Sequence, residues 1–297
     1  MNPAPAASVI IPVLNGEATL GTLLSALKNQ AGVAAFEIIV VDNGSTDRTM
    51  EIARAHGVTV LQQPVRGPSA ARNLGLAHAR AEILVCADSD TIPSRRWLAS
   101  LVASFADPEV IIAGGPILGW QPGTAAERFC SARAAYLRAQ TADHPRFPFA
   151  IGMSMAVRRT SARAIGGWAE DMTSGEDVEF SHRLRLRFGN KIHFAEDAVI
   201  FHQHRCTDEA LWRQARWHGA GLALLHQKHP GTLPWHFWNS GRVRLTVGIL
   251  HLAIPVIALA RAGGWMKAER AEFERYHRLW TRYFWSGFFE QRKQFRA

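Results

Sequence analysis

Residues 83–90 read Ile83-Leu84-Val85-Cys86-Ala87-Asp88-Ser89-Asp90: five apolar or small residues run straight into two aspartates spaced by one. An unbroken apolar run of that length predicts a strand covered on both faces. By themselves the aspartates say only that the strand stops, because Asp and Asn close turns after strands. Their meaning depends on what the chain places beside them.

Similar runs recur on both sides. SVIIPV (Ser8–Val13) is followed by Leu20, Leu23, Leu24 and Leu27, whose spacing makes one apolar stripe on a helix. EIIVV (37–41) precedes a helix with Ser45, Thr46 and Asp47 as N-cap candidates. VTVL (58–61) leads to a helix around 69–79, ILVCA to one around 97–105, and VIIA (110–113) closes the series. Buried strands alternating with helices predict an α/β fold with a Rossmann-like, mostly parallel central sheet flanked by helices. Ligands of such sheets bind beyond the carboxyl ends of the strands. The polar residues gather there: Asn15 and Glu17 after the first run, Asp42-Asn43-Gly44-Ser45 after the second, Asp88 and Asp90 after the fourth.

Two aspartates one residue apart share a ligand only if the chain bends just past the strand, and Ser89, Thr91 and Pro93 supply the break. Clustered carboxylates repel unless a cation neutralises them, and hard oxygen ligands suit Mg²⁺ or Mn²⁺. Such an ion binds substrate phosphates through its remaining positions, so a phosphate ester is the expected substrate. Neither GxGxxG after the first strand nor GxxxxGK[ST] occurs, which argues against a dinucleotide oxidoreductase and a P-loop NTPase. A nucleotidyltransferase would be expected to show a glycine- and lysine-rich signature where PVLNGE stands. Arg72, in RGPSAARN, is a candidate second neutraliser of the diphosphate or a nucleotide contact, with a solvated helix arginine as the alternative.

A second acidic cluster lies in GGWAEDMTSGEDVEFSHRL (166–184). Ser174 and Gly175 predict a turn and N-cap, which puts Glu176, Asp177 and Glu179 in the first helical turn, where the dipole favours acids. Three acids exceed what capping needs, and Phe180 and Leu184 are placed to bury the other side of the helix.

SVIIPVLNGEATL, VVDNGSTDRT, GPSAARNLGLAHARAEILVCADSDTIP, FAIGMSMAVRRTSARAIGGW and SGEDVEFSHRLRLRFG follow one another over roughly residues 8–205, and in combination the chain resembles the family 2 glycosyltransferases of the GT-A fold. The resemblance implies an inverting transfer of a sugar from a nucleoside diphosphate sugar to an acceptor hydroxyl. It assigns Asp42 to the nucleotide base, Asp88 to the nucleotide side of the donor, Asp90 to the metal and Asp177 to the general base, with Glu176 beside it. Pro12, Asn15, Glu17 and Arg72 complete the implied donor-binding set. Family members often add a histidine as a metal ligand from the region of VIFHQHR, and His202 is preferred over His204 because it directly follows the strand-like AVIF. RQARW (213–217) is close to the QxxRW signature of processive synthases, but Arg213 stands where Gln is expected, so processivity is not inferred. A relative that binds nucleotide or membrane without catalysing transfer is the alternative from another functional class; the intact Asp90 and Asp177 argue against it.

The 297 residues are 47% hydrophobic and 20% charged, as in a folded globular chain. The formal net charge of +9 lies wholly in residues 205–297, which hold 15 Lys and Arg against 6 Asp and Glu and seven of the ten Trp: Trp212, Trp217, Trp235, Trp238, Trp265, Trp280 and Trp285. The composition boundary divides a catalytic domain, 1–205 (nucleotide-sugar part about 8–115, acceptor part about 116–205), from a helical, basic and aromatic region, 206–297. Within it Leu245–Ala260 is apolar but, at about 1.5 Å per residue, short for a hydrocarbon core of about 30 Å. Arg242, Arg244, Arg261, Lys267 and Arg270 flank it, and cations and rings interleave in 275–296. Such a segment suits a membrane surface, as an interfacial or re-entrant anchor at the cytoplasmic face of the cell membrane. An ordinary helical subdomain is the plainer alternative. Nucleic acid is not an expected partner, since the acidic rim belongs to a different ligand. The expected acceptor is lipid-linked, polysaccharide or another cell-envelope glycan. Cys86, Cys130 and Cys206 show no CxxC spacing, which fits a reducing compartment, and no secretory leader is expected, because the early apolar run is broken by Pro12 and lacks a basic leader.

Overall fold

A computed structural model describes residues 4–134, 141–142, 148–189, 192–230 and 240–295. Trp235, Trp238, Arg296 and most of the stretch 135–147 lie outside the described residues, as do the side chains of Arg242, Arg244 and His251. The chain forms two compact units: 1–120 with 134–171 and 176–203, and 121–133 with 172–175 and 204–297.

The first unit contains β1 (Ser8–Val13), α1 (Leu20–Lys28), β2 (Glu37–Asp42), α2 (Thr49–Ala55), β3 (Thr59–Gln62), α3 (Pro68–His78), β4 (Ile83–Ala87), β5 (Thr91–Pro93) and α4 (Trp97–Ala103). It continues through β6 (Ile112–Gly114), β7 (Ile117–Gly119) and α6 (Arg159–Ala164). Seven strands make one sheet in the order β3-β2-β1-β4-β8-β6-β9, where β8 is Ser154–Arg158 and β9 is Ile192–Phe194. β8 runs antiparallel to β4 and β6, and the other neighbours are parallel. The strands form here because their residues are wanted on both faces: all five residues of β4 are buried, and α1 covers one side with Leu20, Leu23, Leu24 and Leu27. Chain order runs outward from β1 to β3 and then returns to β4 on the other side of β1, so the direction of winding reverses between β1 and β4. Pro12 lies two residues past Ile10, the last β1 residue in register with β4, where the absent N–H breaks no bond between those two strands. The crevice at the ends of these strands is where ligands of open sheets bind.

A three-stranded sheet, β5-β10-β7 with β10 at Ile200–His202, flanks the carboxyl end of β4. The predicted strands agree with those observed to within one or two residues. The N-cap expectation at 45–47 needs correction: α2 begins at Thr49 after Arg48, and only Asp47 accepts from its first turn, at Thr49 N, 3.0 Å. Ser45 and Thr46 are occupied with Asn15 instead.

In the second unit α5 (Ala125–Ala134) puts Ala126 and Phe129 against Leu211 and Tyr276, which belong to α8 (Asp208–Lys228) and α10 (Ala268–Gln294). Residues 121–133 therefore group with the C-terminal helices, a correction to the division at 205. A further helix, α9 (Ser240–Ala262), precedes α10. The rings of α10 turn inward: Tyr276, Trp285 and Phe288 are buried, and Trp280 lies under the Arg133 guanidinium at 3.4 Å. They form an ordinary helical core rather than an aromatic belt.

Two glycines set the separation of α8 and α10. A Cβ on Gly219 would lie 1.8 Å from the Phe284 carbonyl oxygen, and one on Gly287 would lie 2.0 Å from that of Arg216. Gly219→Ala is expected to lower the melting temperature by several degrees, since overpacking costs about 1–3 kcal/mol. Gly248→Ala, with nothing within 4 Å, should leave it unchanged or raise it. Equal melting temperatures for the two variants would contradict the close helix approach.

Candidate active site

Beyond β4 the chain turns at once. Asp88 O accepts from Thr91 N and Oγ1, at 3.2 and 2.7 Å, so Asp88-Ser89-Asp90 is a bend closed on itself. β5 then pairs antiparallel with β10, placing His202 opposite Thr91 and its Nε2 3.5 Å from Asp90 Oδ2. The ladder thus explains why a histidine 112 residues away faces the second aspartate. Among the described residues no group of three or more His, Cys, Asp or Glu is arranged around one point. Asp90 and His202 bring one carboxylate oxygen and one ring nitrogen to 3.5 Å, close enough that both could hold a single small ion. His204 falls in the second unit.

Asp88 lies to the other side of the bend and accepts from Arg72 Nη2 at 3.0 Å. Burial raises its pKa, with Asp90 and Glu176 adding and Arg72 and His202 opposing. Arg72 is 2% exposed, which removes the solvated alternative. Its Nη1 donates to Glu176 Oε1 at 2.8 Å, so one guanidinium bridges two carboxylates from distant parts of the chain. Both contacts are inside the first unit.

The three acids expected on one helical turn do start α7 (Glu176–Phe188), and they are distinguishable by their partners. Phe180, stacked on Trp168 at 4.1 Å between ring centres, and Leu184 hold the helix in the core. Glu176 is paired with Arg72; Glu179 is paired with Arg183, which also donates to the Ile165 and Gly167 carbonyls. Among the described residues Asp177 has no ion-pair partner: it accepts from the N–H groups of Gly152, 3.1 Å, and Val178, 2.8 Å. Burial and the neighbouring Glu176 push its pKa up to about 6, against the two N–H groups and Arg72.

The other residues singled out in the sequence fasten the rim together. Asp42, 2% exposed, accepts from Gly44 N and Ser45 N, forming the Asx-turn after β2. Asn15 Oδ1 accepts from Thr46 N at 2.9 Å, and Glu17 accepts from Arg48 Nε at 2.7 Å, so the loops after β1 and β2 are cross-linked. Two contributions depend on partners that residue type does not reveal. Asn43 donates to the Gln63 and Val65 carbonyls and accepts from Gly67 N, clamping the chain that enters α3. Gly152 supplies a backbone N–H to Asp177, and no residue type announces such a donor.

This architecture is the GT-A fold. Mannosyltransferase PcManGT from Pyrobaculum calidifontis, solved in complex with GDP-Man and Mn²⁺, superposes with a TM-score of 0.69 at 20% identity, covering 95% of this chain and 86% of that one. Glucosyl-3-phosphoglycerate synthase from Mycobacterium tuberculosis, solved with Mn²⁺, UDP and glucosyl-3-phosphoglycerate, gives a TM-score of 0.56 at 24% identity over 74% and 78% of the two chains. In sequence, the pre-mycofactocin glycosyltransferase of Mycobacterium tuberculosis is 31% identical over 232 residues, 75% of this chain and 48% of its own length. Glycosyltransferase AglE of Haloferax volcanii is 31% identical over 221 residues, 71% of each. The profile of Glycosyl transferase family 2 matches residues 8–166, and the chain belongs to that family.

Proposed function

We propose that the protein transfers a sugar from a nucleoside diphosphate sugar to an acceptor hydroxyl with inversion at the anomeric carbon. The observation that carries this reading is the contrast among three neighbouring acids: Glu176 and Glu179 are paired with arginines, whereas Asp177 has no ion-pair partner among the described residues and a pKa of about 6. A carboxylate so placed is ionised at neutral pH and basic enough to accept a proton from a hydroxyl as it attacks. Single-step inversion needs that base on the face opposite the leaving group.

The donor side rests on Asp88, Asp90 and His202 at the end of β4, with Pro12, Asn15, Glu17 and Asp42 around the adjoining crevice and Arg72 beneath it. Asp90 and His202 are the residues that would hold Mn²⁺ or Mg²⁺, which when bound stabilises the charge developing on the diphosphate. The two solved relatives hold Mn²⁺, one with GDP-Man and the other with UDP, which supports a nucleotide donor of this class. A screen of uridine and guanosine diphosphate sugars for nucleotide release, with Mn²⁺ and with chelator, tests the reading; the absence of metal-dependent release with any donor would contradict it.

The acceptor in this reading is a lipid-linked or other cell-envelope glycan reached at the cytoplasmic face of the membrane. Support comes from α9. Among the described residues no helix is long and apolar enough to cross a membrane, but Leu245, Ile249, Val256 and Leu259 are 59–70% exposed. At about 100° per residue the four fall within an arc of about 80°. Trp265 is 88% exposed, and Arg261, Lys267 and Arg270 lie exposed nearby. An anionic bilayer satisfies both features, taking the apolar face at about 1.5–3 kcal/mol per side chain and the cations at about 1 kcal/mol each. The protein should cosediment with vesicles containing phosphatidylserine, and Leu245→Ser with Leu259→Ser should release it at low salt. Equal sedimentation of the double variant would exclude α9 as the docking face.

A further inference from the structure

The acidic residues at the rim are joined by one buried cation, and its position serves the acceptor side as much as the donor side. Arg72 reaches Asp88 with Nη2 and Glu176 with Nη1, at 3.0 and 2.8 Å, and its side chain is 3% exposed. Asp88 ends the donor strand β4, while Glu176 is the first residue of α7, directly before Asp177. Gly152 closes the ring: its N–H holds Asp177 Oδ2, and a Cβ at that position would lie 2.7 Å from Arg72 Nη2. The four groups Arg72, Glu176, Asp177 and Gly152 therefore form a continuous contact path in which a side chain at 152 would displace the guanidinium.

We propose that Arg72 is a positioning residue rather than a donor ligand: it clamps the first turn of α7 to Asp88, so that the carboxylate meeting the acceptor is held in register with the carboxylate meeting the donor. Both Nη atoms are already engaged by carboxylates, and the guanidinium is buried rather than presented to a ligand, which does not suit the grip of a diphosphate. The clamp also settles the division of labour between the adjacent acids. Glu176 is held by Arg72 directly beside Asp177, and its charge raises the pKa of the latter. This inference rests on the reading of Asp177 as base.

The charged groups acting on Asp177 are Glu176 from its own helix and Arg72 from α3, with the Gly152 and Val178 N–H groups as hydrogen-bond donors; Asp88, Asp90 and His202 act on the Asp88 end of the clamp. Signs follow directly. Removing the anion at Glu176 makes Asp177 easier to ionise, so the acid limb of the kcat/KM profile moves to lower pH in Glu176→Gln. Removing the cation at Arg72 makes it harder, so the limb moves to higher pH in Arg72→Gln. Each displacement is expected to be about one pH unit, typical of a charge within a few ångströms.

The experiment measures these profiles with the full chain, together with nucleoside diphosphate affinity for each variant and a thermal melt. Opposite displacements, with nucleotide affinity within threefold of the parent, support the clamp. If Arg72→Gln does not fold, Gly152→Ala displaces the guanidinium without removing its charge and should also move the limb upward. A limb that stays in place in both Glu176→Gln and the folded Arg72-displacing variant, or a tenfold loss of nucleotide affinity in that variant, overturns the proposal. Failure of the base reading shows separately, as full turnover in Asp177→Asn.

Discussion

Asp177→Asn is expected to lower turnover by about 10²–10⁴-fold while leaving donor binding unchanged, the range found when a positioned general base is lost. The substitution keeps the size of the side chain and its acceptor oxygen for the Gly152 or Val178 N–H, so the helix start should survive. What disappears is the capacity to take a proton. In the parent, activity should rise with pH through about 6 as the carboxylate ionises and then level off. The sign is fixed by the role: a base works when deprotonated, and a pKa raised by burial confines it to the less acidic side. In the variant this limb should be missing. Turnover that persists with an unaltered acid limb would move the base elsewhere, and neither neighbour is well suited, since Glu176 and Glu179 are both held by arginines.

Asp90→Ala is the second large effect. The bend after β4 leaves this carboxylate beside His202 with Asp88 close by, so in the proposed reading the rim holds negative charge where a diphosphate would also sit. A cation is needed to reconcile the two. Its contribution to the transition state is several kcal/mol, and loss of a principal ligand should lower transfer by about a thousandfold. Raising Mn²⁺ should recover part of the rate in His202→Ala, which keeps the carboxylate, and little in Asp90→Ala. Full activity of Asp90→Ala in the presence of chelator would remove the metal from the mechanism.

The parts of this structure that could be read from sequence are those fixed locally. β4 is a strand because its five residues are apolar enough to be covered twice, and α1 is a helix because its leucines recur on one face. The strand-end aspartates, amides and the acids of α7 could be listed for the same reason. What could not be read was their assignment to partners. Arg72 and Glu176 are 104 residues apart, and Gly152 contributes through a backbone N–H that every non-proline residue possesses. Asn15 and Glu17 were singled out as donor-facing, whereas the structure shows their side chains also cross-linking two loops. In the C-terminal region composition does not separate two apolar segments that the fold treats differently: Tyr276, Trp285 and Phe288 fill a helical core, whereas the run 245–260 lies in α9 and keeps an exposed apolar face. Periodicity distinguishes an apolar face from a polar one. It does not say whether another helix covers that face.

The central claim, an inverting transfer driven by Asp177, is tested most directly by the anomeric configuration of the first product. Proton NMR of the sugar released or transferred from the preferred donor, recorded before mutarotation, should show the configuration opposite to the donor's. A product that retains the donor's configuration would contradict the account, whatever the variants show.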